Sequence, residues 1–526
     1  MIFATTNDHR PARDTIRDSF DRAVCDFADK VLIVSDLDGS VFTYADSARV
    51  VHRIMAALQS AGVRKGDRIC IYASMDVEPC LLFLAAANLG VIFVPLDVHS
   101  PGDMLGRILG QVGPKILFCD RKSLAGCSGI KEQVLTIRFD DAEGDDHPGP
   151  QIFSRWLESG DSKIGVPDLV PDDAAAVLYT SGSTGTPKGV VLSQGALCRS
   201  GRQIKELFGY IPDDRVLSLG ELHAIGGIRT AVSALHAGNS FIITSYAQRA
   251  SVLPLVECIR KYRCTQLTAP PIVLRLFLQF GDRIRPADLS SLRSIMSAGS
   301  ILPLHLAESF FERFRIPVLN CYGMTETAGM CISHSLGNFR QAQGSIGLPV
   351  DCVAEIVDAE GNVLPAGSAG ELRIKSSNLM TGYYQDPELT GKIIRDGWLY
   401  TGDLATKRAD GHIVVTGRIK NIIKMANGLF IPLEEVESAL EKHPLVREAA
   451  VCGFSSNRGD ERLAAFIVPD APPVYAEDLF RDLRQYIKDE LGAHKVPAVF
   501  ILKDALPRGT TGKVLRDQLK QEAMEA

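Results

Sequence analysis

Leu178-Tyr179-Thr180-Ser181-Gly182-Ser183-Thr184-Gly185-Thr186-Pro187-Lys188-Gly189 lies between two apolar runs, Ala174 to Leu178 and Val190 to Leu192. Glycine permits positive φ and lets backbone N–H groups approach a ligand closely. The hydroxyls add donors for phosphate oxygens, and Lys188 adds a compact positive charge. The composition suits a loop that wraps a polyphosphate. The P-loop of strand–loop–helix NTPases requires Gly-Lys-Ser/Thr opening a helix. Here Pro187 precedes the lysine, Gly189 follows it, and the exit is β-branched. The loop is therefore predicted to join two strands. A plain Ser/Gly surface linker is the competing reading, but linkers seldom sit between two apolar strands.

The rest of the chain narrows the class. Its 526 residues exceed one ordinary core, so at least two domains are expected. A hydrophobic fraction of 46 %, a charged fraction of 23 % and a net charge of −6 suit a globular protein. The absence of a long basic block argues against nucleic acid as a partner. No apolar run is long enough to span a membrane, and residues 1–14 lack the apolar core of a secretory signal. The 12 Cys show no CxxC or zinc spacing. They read as free thiols of a reducing, cytoplasmic compartment.

Strand and helix patterns alternate from residue 45 onward: a helix over 45–63, a strand over 68–74, a helix over 80–90 and a strand over 91–97. Strands at 116–120 and 134–140 continue the series. This order predicts a parallel sheet covered by helices. Residues 141–172 read as polar surface loop. Residues 31–42 pose a choice. An apolar run followed by Asp36-Leu37-Asp38-Gly39 resembles the nucleophile loop of aspartyl-phosphate phosphatases. Asp38-Gly39 between apolar runs is also a strong hairpin signal, and the hairpin is the reading adopted, with Asp36 exposed and away from any pocket. Later, 194–208 reads as a helix, 216–228 as a strand ending in a turn, 255–277 as helix, strand and helix, and 344–375 as hairpins.

A second cluster follows the apolar segment 317–319: Asn320-Cys321-Tyr322-Gly323-Met324-Thr325-Glu326. Tyr322 offers an aromatic face for adenine and Thr325 a hydroxyl for a phosphate. Glu326 offers a hard oxygen for Mg²⁺, an ion that keeps most of its ligands as water and phosphate. The small residues Ala298-Gly299-Ser300 would let a flat base lie against the backbone.

The loop at 178–189 together with 322–326 resembles the signatures of adenylate-forming enzymes: acyl-CoA and aryl-CoA ligases, peptide-synthetase adenylation domains and luciferases. The resemblance covers nearly the whole chain and is nearest to the acyl-CoA ligases. It implies an α/β fold: a large N-terminal domain of mixed and parallel sheets covered by helices, with a small β-rich subdomain. A small mobile α+β domain follows, with boundaries at 1–417 and 418–526 and a hinge at Lys420. It implies ATP, Mg²⁺ and coenzyme A as cofactors or co-substrates. Thr180, Ser181, Gly182, Ser183, Thr184, Gly185 and Lys188 would hold phosphates. Ala298, Gly299, Ser300, Asn320, Cys321, Tyr322, Gly323 and Thr325 would surround the nucleotide. Asp403 would accept both ribose hydroxyls, and Arg418 would add a ribose or phosphate contact. Glu326 would hold the metal, His223 would border the acyl pocket, Gly428 would line the thiol tunnel, and Lys513 would bridge the carboxylate and the α-phosphate.

Two departures matter. Amino-acid-activating relatives place an Asp near His223; this chain has Gly220-Glu221-Leu222, so a fatty, aryl or alicyclic acid is expected. Asn427 precedes Gly428 where Gly or a basic residue is usual, which leaves the thiol acceptor open. With no carrier domain seen after the lid, the acceptor is expected in trans, as coenzyme A or as a separate carrier protein. A non-catalytic nucleotide-binding module is the reading from another class. Lys513, Asp403, Glu326 and Lys188 together argue against it.

Overall fold

The computed structural model describes residues 14–100, 102–124, 134–139, 151–160, 164–180, 187–244, 251–425, 430–455, 461–471, 475–508 and 514–525. Among the described residues, two large sheets dominate the first four hundred positions. One has nine strands and the other eight. In the nine-stranded sheet Val31–Ser35, Ser240–Ile243, Arg215–Ser218, Gln266–Ala269, Ser294–Ser297 and Val318–Met324 run parallel, with antiparallel strands at both edges. In the eight-stranded sheet the parallel set ends on Ala174–Thr180, which pairs antiparallel with Lys188–Ser193.

Helices fill the space between the two sheets. Val77–Leu89 is buried on every side, as a helix apolar all round must be. One apolar cluster joins it to Ile33 and Phe241 of the first sheet and to Ile69 and Phe93 of the second. Tyr44–Ser60 starts at Thr43 in a reciprocal cap with Asp46, which satisfies two of the orphan N–H groups of its first turn. Gln194–Phe208 begins where the strand after the phosphate-type loop ends. Ser193 Oγ accepts the Ala196 N–H, and Gly209 closes the helix in the left-handed region.

A five-stranded antiparallel sheet follows, built on Cys352–Val357, Ala369–Ser376, Trp398–Lys407 and Ile413–Arg418. Sheet membership then changes within four residues. Ile422–Lys424 pairs with Phe430–Pro432, outside the preceding sheet. Val446–Ser455, Glu461–Pro469 and Val499–Leu502 form a separate sheet. Helices Leu433–Leu440, Ala476–Leu491 and Arg516–Glu525 pack on it.

The Asp-Gly hairpin is present: Val31–Ser35 pairs antiparallel with Val41–Thr43. Asp36 is not exposed, however. Its side chain is 8 % accessible and accepts from Lys261 Nζ at 2.7 Å and Tyr262 Oη at 2.8 Å, so the carboxylate ties the hairpin to helix Val252–Tyr262. Two other expectations are corrected. Residues 151–156 are not surface loop. Phe153 and Trp156 are buried, and Trp156 meets the Phe118 ring edge-on at 5.3 Å. Two aromatics among polar residues carry too little periodicity to read as an element. The strand predicted over 216–228 ends at Ser218, and a helix begins at Ile225.

His334 gives the fold a pH dependence. It is buried, its Nε2 lies 3.0 Å from the Ser345 carbonyl, and burial together with His412 and Arg408 pushes its pKa down from 6.5 to about 4. Between those values the unfolded chain binds a proton that the folded chain does not, so stability rises with pH. That contribution is present above 6.5 and is lost as the pH falls towards 4; it is of the order of 3 kcal/mol. Urea unfolding followed from neutral pH to pH 4 is expected to show the loss, and His334→Gln to flatten the slope.

Candidate active site

The segment Val318–Thr327 carries two clusters. Its strand, Val318–Met324, is the last parallel strand of the nine-stranded sheet and turns antiparallel onto Gly329–Ser333. A 3₁₀ turn, Thr325–Thr327, separates the two. The turn depends on glycine. A Cβ on Gly323 would lie 1.8 Å from the Gly329 carbonyl oxygen, and Gly329 itself has φ +104°.

The first cluster gathers on Asp403. Strand pairing sets Asp403 opposite Arg418, and Arg418 Nε lies 2.8 Å from Asp403 Oδ1. Tyr322 Oη donates to Asp403 Oδ2. Burial and the adjacent carboxylate hold the Tyr322 phenol well above its ordinary pKa, so it stays a donor. Asp403 is 3 % exposed. A carboxylate offers about four lone-pair sites, so both oxygens keep capacity for two vicinal hydroxyls.

The second cluster gathers on Glu326. Tyr383 Oη donates to Glu326 Oε1 at 2.8 Å, and Lys188 Nζ lies 5.7 Å from the centre of the Tyr383 ring. Three backbone bonds hold this arrangement. Met380 N–H reaches the Glu326 carbonyl, Thr381 N–H that of Val191, and Tyr384 N–H that of Gly189. Strand Gly382–Tyr383 thus extends the sheet that carries Lys188. Thr180 pairs directly with Lys188 across the base of the loop. One half-buried carboxylate, with one oxygen steadied by a phenol, suits Mg²⁺ arriving with its phosphates and waters.

Lys420 feels a positive charge from each cluster, Arg418 of the first and Lys188 of the second. Burial, Arg418, Arg516 and Lys188 all lower its pKa, while Asp517 opposes them. Arg516 Nη2 also binds Glu437 Oε2 at 2.7 Å, next to the segment that leads to Lys513.

Other predicted residues fall around these. Ala298, Gly299 and Ser300 follow the neighbouring strand Ser294–Ser297, and a Cβ on Gly299 would meet nothing within 4 Å. Asn320 is buried and donates to the Ser345 carbonyl at 2.9 Å. Cys321 Sγ lies 3.2 Å from Ser333 Oγ, and burial pushes the thiol up to about 12. Thr325 opens the 3₁₀ turn beside Glu326. His223 Nε2 is 3.9 Å from Asp97 Oδ2. Glu221 Oε2 accepts the Met75 N–H at 3.1 Å. Ser181, Gly182, Ser183, Thr184 and Gly185 lie outside the described residues, as do Asn427, Gly428 and Lys513. Among the described residues no group of three or more His, Cys, Asp or Glu could hold a metal, and no helix is long and apolar enough to cross a membrane.

The model of the AMP-binding enzyme family matches residues 20–384, and that of the AMP-binding enzyme C-terminal domain matches 435–513. The chain belongs to the AMP-binding enzyme family. It is 30 % identical to the sulfoacetate–CoA ligase of Cupriavidus necator, over 94 % of this chain and 95 % of that one. It is 29 % identical to the indoleacetate–CoA ligase of Aromatoleum aromaticum, over 91 % and 92 %. ATP-bound MatB from Rhodopseudomonas palustris superposes with a TM-score of 0.85 at 25 % identity, over 97 % of this chain and 99 % of that one. The anthranilate CoA ligase AuaEII, complexed with anthranoyl-AMP, has the same fold, with a TM-score of 0.88 at 24 % identity over 98 % of each chain. This AMP-binding enzyme is an AMP-forming acid–thiol ligase. It activates a carboxylic acid with Mg²⁺ and ATP and passes the acyl group to coenzyme A.

Sequence reading missed Tyr383. Its partner Glu326 is 57 positions away, and the only local signal is Gly382 followed by two tyrosines. A hydrogen bond to a charged group contributes about 1.5–3 kcal/mol. Tyr383→Phe is therefore expected to raise the Mg²⁺ and ATP requirement about tenfold or more, measured by initial rates over a Mg²⁺ titration. An unchanged requirement would remove Tyr383 from the site.

Proposed function

We propose that the two clusters on Val318–Thr327 are the two ends of one nucleotide site. Their common anchorage on a single strand and turn is the observation that carries this reading. Asp403 takes the ribose hydroxyls, with Arg418 and Tyr322 holding it oriented. Lys188 and the Thr180–Gly185 loop take the β- and γ-phosphates, and Thr325 takes an oxygen of the α-phosphate. Glu326, with Tyr383 behind it, would hold Mg²⁺, which would supply charge neutralisation of the phosphates. The acid carboxylate attacks the α-phosphorus in line, giving acyl-AMP and pyrophosphate. For such a step positioning and charge neutralisation supply most of the catalysis. Lys513 steadies the oxygens that gather charge in the transition state.

In the second half-reaction the thiol attacks the acyl carbon and AMP departs. We take 1–417 as the domain that holds the acid and ATP and 418–526 as a lid that turns about Lys420, withdrawing Lys513 and bringing Gly428 to the thiol path. The change of sheet between Arg418 and Ile422 supports that boundary. The acid pocket is read as 223–227, 297–300 and 321–330. Gly220-Glu221-Leu222 carries no Asp where amino-acid-activating relatives place one, which supports an acid without an α-ammonium group. The named substrates of the relatives, sulfoacetate and indoleacetate, are candidates of that kind. Free thiols at the described cysteines support a cytoplasmic location.

The test is exchange of labelled pyrophosphate into ATP across a panel of acids, followed by AMP release on adding coenzyme A. Exchange with no acid would end the proposal. Acid-dependent exchange with no AMP release on adding coenzyme A would point to a separate carrier protein as the acceptor.

A further inference from the structure

Arg229 lies on helix Ile225–Ala237, two positions beyond the 223–227 segment. It is 6 % exposed. Among the described residues its sole hydrogen-bond acceptor is Met296 Sδ, 3.7 Å from Nη2, and its Nε has no partner. No carboxylate among them pairs with it. The ionisable groups that face it are Cys321, Cys331 and Tyr210. Burial pushes all three upward, so near neutral pH they are uncharged and cannot balance a cation.

A guanidinium keeps its proton in proteins. Holding one away from water without an anion costs several kcal/mol. The surroundings are nevertheless shaped for it. A Cβ on Gly329 would lie 2.4 Å from Nη1, so the glycine leaves that nitrogen its space. Met296 precedes the 297–300 segment, and Cys321 and Gly329 belong to 321–330. The unpaired charge is thus packed against 321–330 and against Met296, which adjoins 297–300, on a helix whose first turn belongs to 223–227.

We propose that Arg229 is the counter-ion for a second anionic group on the substrate, so that the enzyme activates a carboxylic acid bearing a further carboxylate or sulfonate at its far end. This rests on the assignment of the acid pocket made above. Arg suits the task because its planar fork matches the two oxygens of such a group. The unpaired charge also disfavours acids with an uncharged tail, which would leave it buried and uncompensated.

The test compares succinate, phthalate and sulfoacetate with monomethyl succinate, monomethyl phthalate and methylsulfonylacetate, by acid-dependent pyrophosphate release. The wild-type enzyme is expected to favour the dianions by about tenfold or more in kcat/KM. Arg229→Met is expected to abolish or reverse that preference, and Arg229→Lys to keep part of it. Thermal melting supplies a readout that a structural role would move the other way. Removing an unpaired buried charge should leave the midpoint unchanged or raise it, and succinate should raise the midpoint of the wild type but not of Arg229→Met. A wild-type preference for the half-esters would overturn the proposal and leave the ligase reading standing. Equal losses on both acid classes with a lowered midpoint would do the same. No pyrophosphate release with any acid would overturn both.

Discussion

Replacing Lys513 by Ala is expected to slow acid-dependent pyrophosphate release by about a hundred- to a thousandfold, the effect of removing one preorganised donor from a developing charge. Thioester formation from supplied acyl-AMP should stay within a few-fold of wild type. The asymmetry follows from the lid mechanism. Lys513 itself lies outside the described residues, but both flanks of its segment are anchored. Arg508 forms an antiparallel bridge with Val514 and binds Glu448 at 2.9 Å. Arg516 grips both oxygens of Glu437, at 2.8 and 2.7 Å. All of these partners belong to the region after Lys420, so the proposed lid would carry a lysine between them. Equal losses in the two half-reactions would refute the role and, with it, the movement that withdraws Lys513 between steps.

Asp403→Ala should weaken ATP binding by about a hundredfold or more, since two charge-assisted hydrogen bonds contribute about 1.5–3 kcal/mol each. The substitution also strips Tyr322 Oη and Arg418 Nε of their shared acceptor. Asp403→Asn should do little better, because an amide would turn a donor towards Tyr322 or Arg418. An ATP analogue lacking both ribose hydroxyls separates ribose recognition from general damage. It should bind the wild type about as poorly as ATP binds Asp403→Ala, and the variant should not distinguish the two nucleotides. This is a double-mutant cycle with one arm in the ligand. A variant that still preferred ATP over the analogue would show that the ribose is held elsewhere.

Much of this site could be read along the chain because its parts are short and chemically distinctive. The antiparallel pair around the loop follows from Pro187, Gly189 and the β-branched exit, and Thr180 opposite Lys188 is its register. The hairpin at Asp38-Gly39 follows from its turn residues. Apart from the strand over 216–228, which gives way to a helix at Ile225, what failed depended on a distant partner. Asp36 is buried because Lys261 and Tyr262 come to it. Phe153 and Trp156 leave the surface because Phe118 receives them. Tyr383 acquires a role because a two-residue strand joins the edge beside Lys188.

The order of residues alone determined the class of chemistry: glycines, hydroxyls, a lysine and acidic residues in short motifs, whose local requirements no distant contact alters. Only the tertiary structure decided which side chains share a charge. Arg418 could be paired with Asp403, and Arg229 left with a sulfur for an acceptor, only once strands and a helix from separate parts of the chain lay side by side. The reason is physical. A backbone turn is set by its neighbours in sequence, whereas the free energy of a buried ion depends on every group within a few ångströms, and those groups come from anywhere in the chain.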